Sequence, residues 1–140
     1  MTNAPESDPR GMRVFIADDH AGYRDGMARL LGEQPGLDVV GEAADGTAAL
    51  SDILRLQPDV ALVDIRMPGL DGLEVCRRLR TNGSAPHTRV VLITAAPDRA
   101  LTAAAADVGA VALLAKEAAP GALVAELVAA GQGRVGRAVE

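Results

Sequence analysis

The 140-residue chain has no tryptophan, one tyrosine (Tyr23), one phenylalanine (Phe15), one cysteine (Cys76) and one lysine (Lys116). Each scarcity excludes something. Two aromatics cannot supply the buried area that Phe, Tyr and Trp usually give a core, so the core must be aliphatic. One cysteine makes neither an internal disulfide nor a thiolate metal cluster, which points to a reducing, cytoplasmic setting. Basic side chains number 14 against 19 acidic ones, a net charge of −5. A nucleic-acid surface built on clustered Lys and Arg is therefore not expected. Long apolar runs are missing too: Ala103–Ala106 and Val108–Ala115 are split by Asp107 and stop at Lys116. These are too short to span a bilayer, and the polar N-terminus has no signal-peptide pattern, so no membrane association is expected.

What is present is 49% hydrophobic residues, enough for one core, and a length that fits one domain. Residues 1–11, polar with two prolines and a glycine, read as a flexible tail, and 132–140 as a linker or tail, leaving 12–131 as the folded domain. Within it, short apolar runs at Arg13–Ala17, Leu37–Gly41, Val60–Val63, Arg89–Ile93 and Ala110–Leu114 have strand character. Between them lie segments with helical spacing, such as Tyr23, Met27, Leu30 and Leu31, or Ala49, Ile53, Leu54 and Leu56. Others run over Leu73–Leu79, Leu101–Val108 and Leu123–Val128, with Asp107-Val108-Gly109 as a glycine-capped helix end. Pro35-Gly36 and Gln57-Pro58 punctuate the first two helices. Alternating strands and helices predict an α/β fold of flavodoxin-like, doubly wound (βα)5 type, with a five-stranded parallel sheet in the order 2-1-3-4-5.

In that order the C-terminal strand ends share one edge, where ligands bind. Strand one ends in Asp18-Asp19, strand three in Asp64, strand four in Thr94 and strand five in Lys116. Strands one and three are neighbours, so the three carboxylates converge and need a cation or a raised pKa. An all-oxygen, partly hydrated cluster suits Mg²⁺. A carboxylate flanked by a metal, a hydroxyl and an ammonium is equipped to attack a phosphoryl group.

Taken singly these residues have blander readings. An Asp pair ahead of a helix is commonly an N-cap, and a lone strand-end Asp or Lys is usually a solvated charge. Thr94 alone reads almost as well as a turn cap. His20 reads as a helix-start residue rather than a metal ligand, Cys76 as packing, and Arg77, Arg78 and Arg80 as the exposed face of helix three. The combination outweighs the single readings.

The strings VFIADDH, LVDIRMPGLDG, VLITA and LLAKEA, in that order and spacing, resemble a two-component response-regulator receiver domain. The opening stretch is similar to the NarL/FixJ class. The resemblance covers roughly Met12 to Gly131. It implies a cytoplasmic signalling domain whose Asp64 accepts a phosphoryl group from a sensor histidine kinase, catalysing only its own phosphotransfer and dephosphorylation. It further implies direct Mg²⁺ ligation by Asp19, Asp64 and the backbone carbonyl of Arg66, with Asp18 acting through a metal-bound water. Thr94 would bond the phosphate and move as the switch, and Lys116 would pair with it. The face formed by helix four, strand five and helix five would then change. DNA would be reached only through an output domain absent from this chain, and a homodimer through the helical faces is a further expectation. One departure stands out: the second switch position, usually Tyr or Phe three residues before the lysine, is Leu113. That departure keeps open a phosphorylation-independent receiver acting through protein contacts.

Other chemistries fit less well. A dehalogenase-type hydrolase needs a second Asp two residues after the nucleophile, where this chain has Arg66. A cobalamin motif would need glycine where Tyr23 stands, and no glycine-rich nucleotide loop follows strand one.

Overall fold

The computed structural model describes residues 11–133. Five strands and five helices alternate along the chain. The strands are β1 (Met12–Ala17), β2 (Leu37–Ala43), β3 (Val60–Asp64), β4 (Arg89–Thr94) and β5 (Ala112–Ala115). The helices are α1 (Ala21–Gly32), α2 (Gly46–Leu56), α3 (Gly72–Asn82), α4 (Arg99–Asp107) and α5 (Pro120–Gly131). All four strand pairings are parallel and the order is β2-β1-β3-β4-β5, as expected from the sequence. The expected tails at 1–11 and 132–140 lie outside the described residues, apart from Gly11, Gln132 and Gly133.

The sheet divides the apolar mass into two layers. Val14, Ile16, Leu62, Val91 and Ile93 face Met27 and Leu31 of α1 and Leu123 and Leu127 of α5. Phe15, Ala61, Val63, Val90 and Leu92 face Ala49 and Ile53 of α2, Val75 and Leu79 of α3, and Ala105 of α4. Alternate residues of one strand thus serve opposite layers. This is why Val60–Val63 of β3 and Val90–Ile93 of β4 are continuous apolar runs, buried on both faces. Leu, Ile and Val fill both layers, and Phe15 is the one buried aromatic ring of the core among the described residues.

The helix starts are set by short polar side chains. Asp45, Asp71 and Asp98 accept the N–H of Ala48, Glu74 and Leu101, capping α2, α3 and α4. Pro120 opens α5 at a position where its missing N–H costs nothing. Gln57 closes α2 with a φ of 51°, and Gly109 follows α4 with a φ of 90°, which glycine adopts without steric cost. Gly72 brings α3 hard against the end of β3: a methyl there would collide with the Asp64 carbonyl and lie 2.9 Å from the Ile65 Cα. No helix among the described residues is long and apolar enough to cross a membrane.

One expectation is overturned. Arg77 and Arg78 are exposed and paired with Glu74, but Arg80 is not part of that face. Its guanidinium turns inward and donates to the Thr88 carbonyl at 2.6 Å, and its stem covers Gly109. A long cationic side chain beside a short loop satisfies loop carbonyls that would otherwise be left without donors.

Candidate functional site

The C-terminal ends of β1 and β3 lie side by side, with Ala17 in register with Val63. The next residue on each, Asp18 and Asp64, therefore projects from the same edge, and both are buried, at 1% and 3% exposure. Asp18 is held from three sides. Its backbone N–H donates to the Ala43 carbonyl on β2, its carboxylate accepts the His20 N–H at 2.8 Å, and Arg24 donates to its carbonyl at 2.6 Å. Arg24 also pairs with Glu42 at 3.4 Å, tying α1 to the end of β2. Asp64 Oδ1 accepts the Arg66 N–H at 3.3 Å, which sets the Arg66 peptide beside the carboxylate.

Lys116 arrives from β5. Its backbone N–H bonds the Thr94 carbonyl at 2.9 Å, and its ammonium reaches across the edge to Asp18 Oδ2 at 2.7 Å and Asp64 Oδ2 at 3.2 Å. The lysine's charge thus bridges both buried carboxylates, where the sequence pointed only to Asp64. Burial raises the Asp64 pKa, the Asp18 charge raises it further, and Lys116 opposes the rise. Burial alone would lower the Lys116 pKa, but the hydrogen bond to Asp18 and the charges of Asp64 and Asp18 leave it raised. The carboxylate thus holds its proton more tightly than a free one while its partner stays cationic.

Asp19 is exposed beside this pair. One ligand atom each from Asp18, Asp19, His20 and Asp64 lies within 4.8 Å of the others. Three carboxylates face a single lysine charge, and the donors are mostly hard oxygens, so the set fits a divalent cation such as Mg²⁺. Asp19 and Arg66 also line an open cleft of about 580 Å³ with Met67, Asp71 and Leu101, giving the edge access to solvent.

Thr94 is buried at 4% exposure one residue beyond the Asp64 partner Ile93, and its hydroxyl accepts the Ala96 N–H at 3.4 Å within its own turn. Leu113 pairs with Leu92 and packs into the α2–α4 layer.

Two neighbours of the site escaped the sequence reading. His20 is the N-cap of α1, as its position suggests, but its Nδ1 also lies 3.2 Å from Asp19, 3.3 Å from Asp18 and 3.5 Å from Lys116. Tyr23, read from periodicity as a helix-packing residue, places its ring 4.7 Å from the Lys116 ammonium. The signal available was compositional: the chain's single tyrosine stands five residues after Asp18, and its single lysine ends β5. Burial, then the Asp18 and Asp64 charges, push the Tyr23 phenol up to about 12, so it is neutral at physiological pH.

Known proteins resemble this chain in sequence and in fold. A family model described as response regulator receiver domain matches residues 14–128. A transcriptional regulatory protein, NarL, of Mycobacterium tuberculosis is 40% identical over 126 residues, covering 90% of this chain and 57% of that protein. The response regulator GacA of Pseudomonas viridiflava is 42% identical over 100 residues, covering 68% of this chain and 46% of its own length. The chain thus spans about half the length of these curated relatives. Among solved structures, the signal receiver domain of the M. tuberculosis NarL superposes with a TM-score of 0.85 at 40% identity. That match covers 90% of this chain and all of the other.

Proposed function

The chain belongs to the family of response regulator receiver domains, and on that premise we propose that Asp64 accepts a phosphoryl group from a sensor histidine kinase, with Mg²⁺ as cofactor. Phosphorylation on aspartate is general in this family of two-component signalling domains. The observation that carries the choice of Asp64 is its place at the end of the central strand β3, between Asp18 at the end of β1 and Thr94 on β4, with the Lys116 ammonium at 3.2 Å.

In the proposed step an Asp64 carboxylate oxygen attacks phosphorus. The bond from phosphorus to the donor's leaving group breaks, and its electron pair leaves with the donor, giving an acyl phosphate on Asp64. Lys116 shifts its charge toward the developing phosphoryl oxygens, and the Thr94 hydroxyl leaves its local turn to bond one of them. Asp19, Asp64 and the Arg66 carbonyl would hold Mg²⁺, and Asp18 would act on it through a water. Mg²⁺ supplies neutralisation of the phosphoryl charge.

The module is a signalling domain whose only catalysis is its own phosphotransfer and dephosphorylation. It sits in the cytoplasm with the kinase, acts on transcription through an output part outside this chain, and pairs as a homodimer through its helical faces.

Intact-mass measurement after incubation with Mg²⁺ and a small phosphodonor tests this reading. One added phosphoryl group is expected, lost in Asp64→Asn and when Mg²⁺ is chelated. An unchanged wild-type mass contradicts it. Leu113 favours a second reading, in which output depends on protein contacts and not on phosphate. Identical amide-exchange profiles with and without beryllofluoride would select that one.

A further inference from the structure

Tyr23 and Lys116 are the chain's only tyrosine and only lysine, and they touch. The lysine ammonium is enclosed on two sides. Asp18 and Asp64 draw it inward at 2.7 and 3.2 Å, and the Tyr23 ring stands 4.7 Å away. The enclosure leaves the Lys116 side chain only 12% exposed. A four-carbon lysine stem has many rotamers, and a ring face is one of the few groups that can hold an ammonium without neutralising it. The Tyr23 hydroxyl is buried and makes no hydrogen bond among the described residues, so what the side chain contributes is its ring.

The same ring lines an apolar groove of about 340 Å³ between α1 and α5, together with Lys116, Met27, Leu30, Pro120 and Leu123. One side chain therefore borders both the lysine's enclosure and a surface groove.

We propose that Tyr23 is a positioning residue for Lys116: its ring face holds the ammonium over Asp18 and Asp64, so that the lysine–ring contact is coupled to the state of Asp64. The inference rests on Asp64 as phosphoacceptor. Phosphorylation of Asp64 removes the carboxylate charge that Lys116 pairs with and sets new charge further out, on the phosphoryl oxygens. An ammonium that follows this charge changes its distance from the ring.

Having one lysine and one tyrosine makes the test unambiguous. Lysine-selective ¹³C labelling yields a single set of methylene resonances, and a ring face nearby shifts them upfield. The shift is expected in wild type and in Tyr23→Phe, and is lost in Tyr23→Leu. Beryllofluoride binding with Mg²⁺, measured by calorimetry, is expected to weaken about threefold to tenfold in Tyr23→Leu. Tyr23→Phe restores it to within about twofold of wild type. Equal affinity in all three proteins overturns the proposal, as does a Tyr23→Phe as weak as Tyr23→Leu, which would give the role to the hydroxyl.

Should Tyr23→Leu fail to fold, the wild type decides alone. Saturating beryllofluoride must move both the lysine resonances and the tyrosine emission, and no change in either overturns the coupling. A wild type with shifted lysine resonances that binds no beryllofluoride and takes no phosphoryl group refutes the phosphoacceptor reading and, with it, the coupling. Normal beryllofluoride binding with unshifted resonances refutes the Tyr23 proposal alone.

Discussion

The C-terminal edge of the sheet is built in two unlike halves. At the ends of β1 and β3, Asp18, Asp19, His20 and Asp64 crowd together, bridged by Lys116 and held by Arg24 and backbone N–H groups. At the ends of β4 and β5, Thr94 bonds within its own turn, and Leu113 lies in an aliphatic layer with α4 residues Leu101 and Ala105. The first half is dictated by charge. Buried carboxylates must be paired or must bind a cation, so few residue types can stand there. The second half is dictated by packing, where any apolar side chain of suitable volume is tolerated at modest cost. The proposed phosphoryl chemistry and its read-out therefore rest on different physics, with Leu113 at the read-out position where the family resemblance puts an aromatic.

The largest effect should come from the charged half. Lys116→Ala is expected to slow phosphoryl incorporation on the order of 10²-fold, as when one oriented cationic donor is lost from a reacting centre. A rate within about threefold of wild type, followed by mass over time, would show that the ammonium is a bystander. The packing half should answer in stability. Leu113→Ala should cost about half of the roughly 2–5 kcal/mol typical of a fully buried leucine, because Leu113 is only partly buried. Denaturant unfolding measures it, and no loss would mean that the β5 corner is not packed.

The smallest effect separates the halves by sign. Burial and the Asp18 charge raise the folded-state pKa of Asp64. The stability linked to this group is therefore fully present below its unfolded value near 3.8 and is lost as pH rises through the raised folded value. Asp64→Asn should consequently stabilise the fold at pH 7, because it removes the buried charge that Asp18 repels. That gain should fade as the pH is lowered toward 4. Thermal melts across that range check it, and a destabilised Asp64→Asn at pH 7 would mean that the Lys116 attraction outweighs burial and repulsion.

Much of this was legible in the sequence because both signals are local. The apolar runs and their punctuation place the strands to within a few residues. β2 continues past Gly41 to Ala43, and β5 begins at Ala112, after the left-handed Gly109 has turned the chain. The acidic cluster follows from strand order, since strand-end residues must share an edge. The rest depends on how helices turn and loops fold. Tyr23 meets Lys116 because of the rotation of α1, and His20 meets the carboxylates because the chain bends through the Asp18 carboxylate. Arg80 caps a loop that hydrophobic periodicity does not describe. Nor does the Lys116–Asp18 pair follow from strand order, because a lysine from β5 has to reach across β4 and β3 to make it.

The central claim is that one carboxylate, Asp64, carries the phosphoryl group. Borohydride reduction of the phosphorylated protein, followed by peptide mass mapping, tests it most directly, because the reagent reduces the acyl phosphate and so marks the phosphorylated aspartate itself. The mark is expected on the peptide holding Asp64 and nowhere else. A mark on Asp18 or Asp19, or one that persists in Asp64→Asn, would contradict the account.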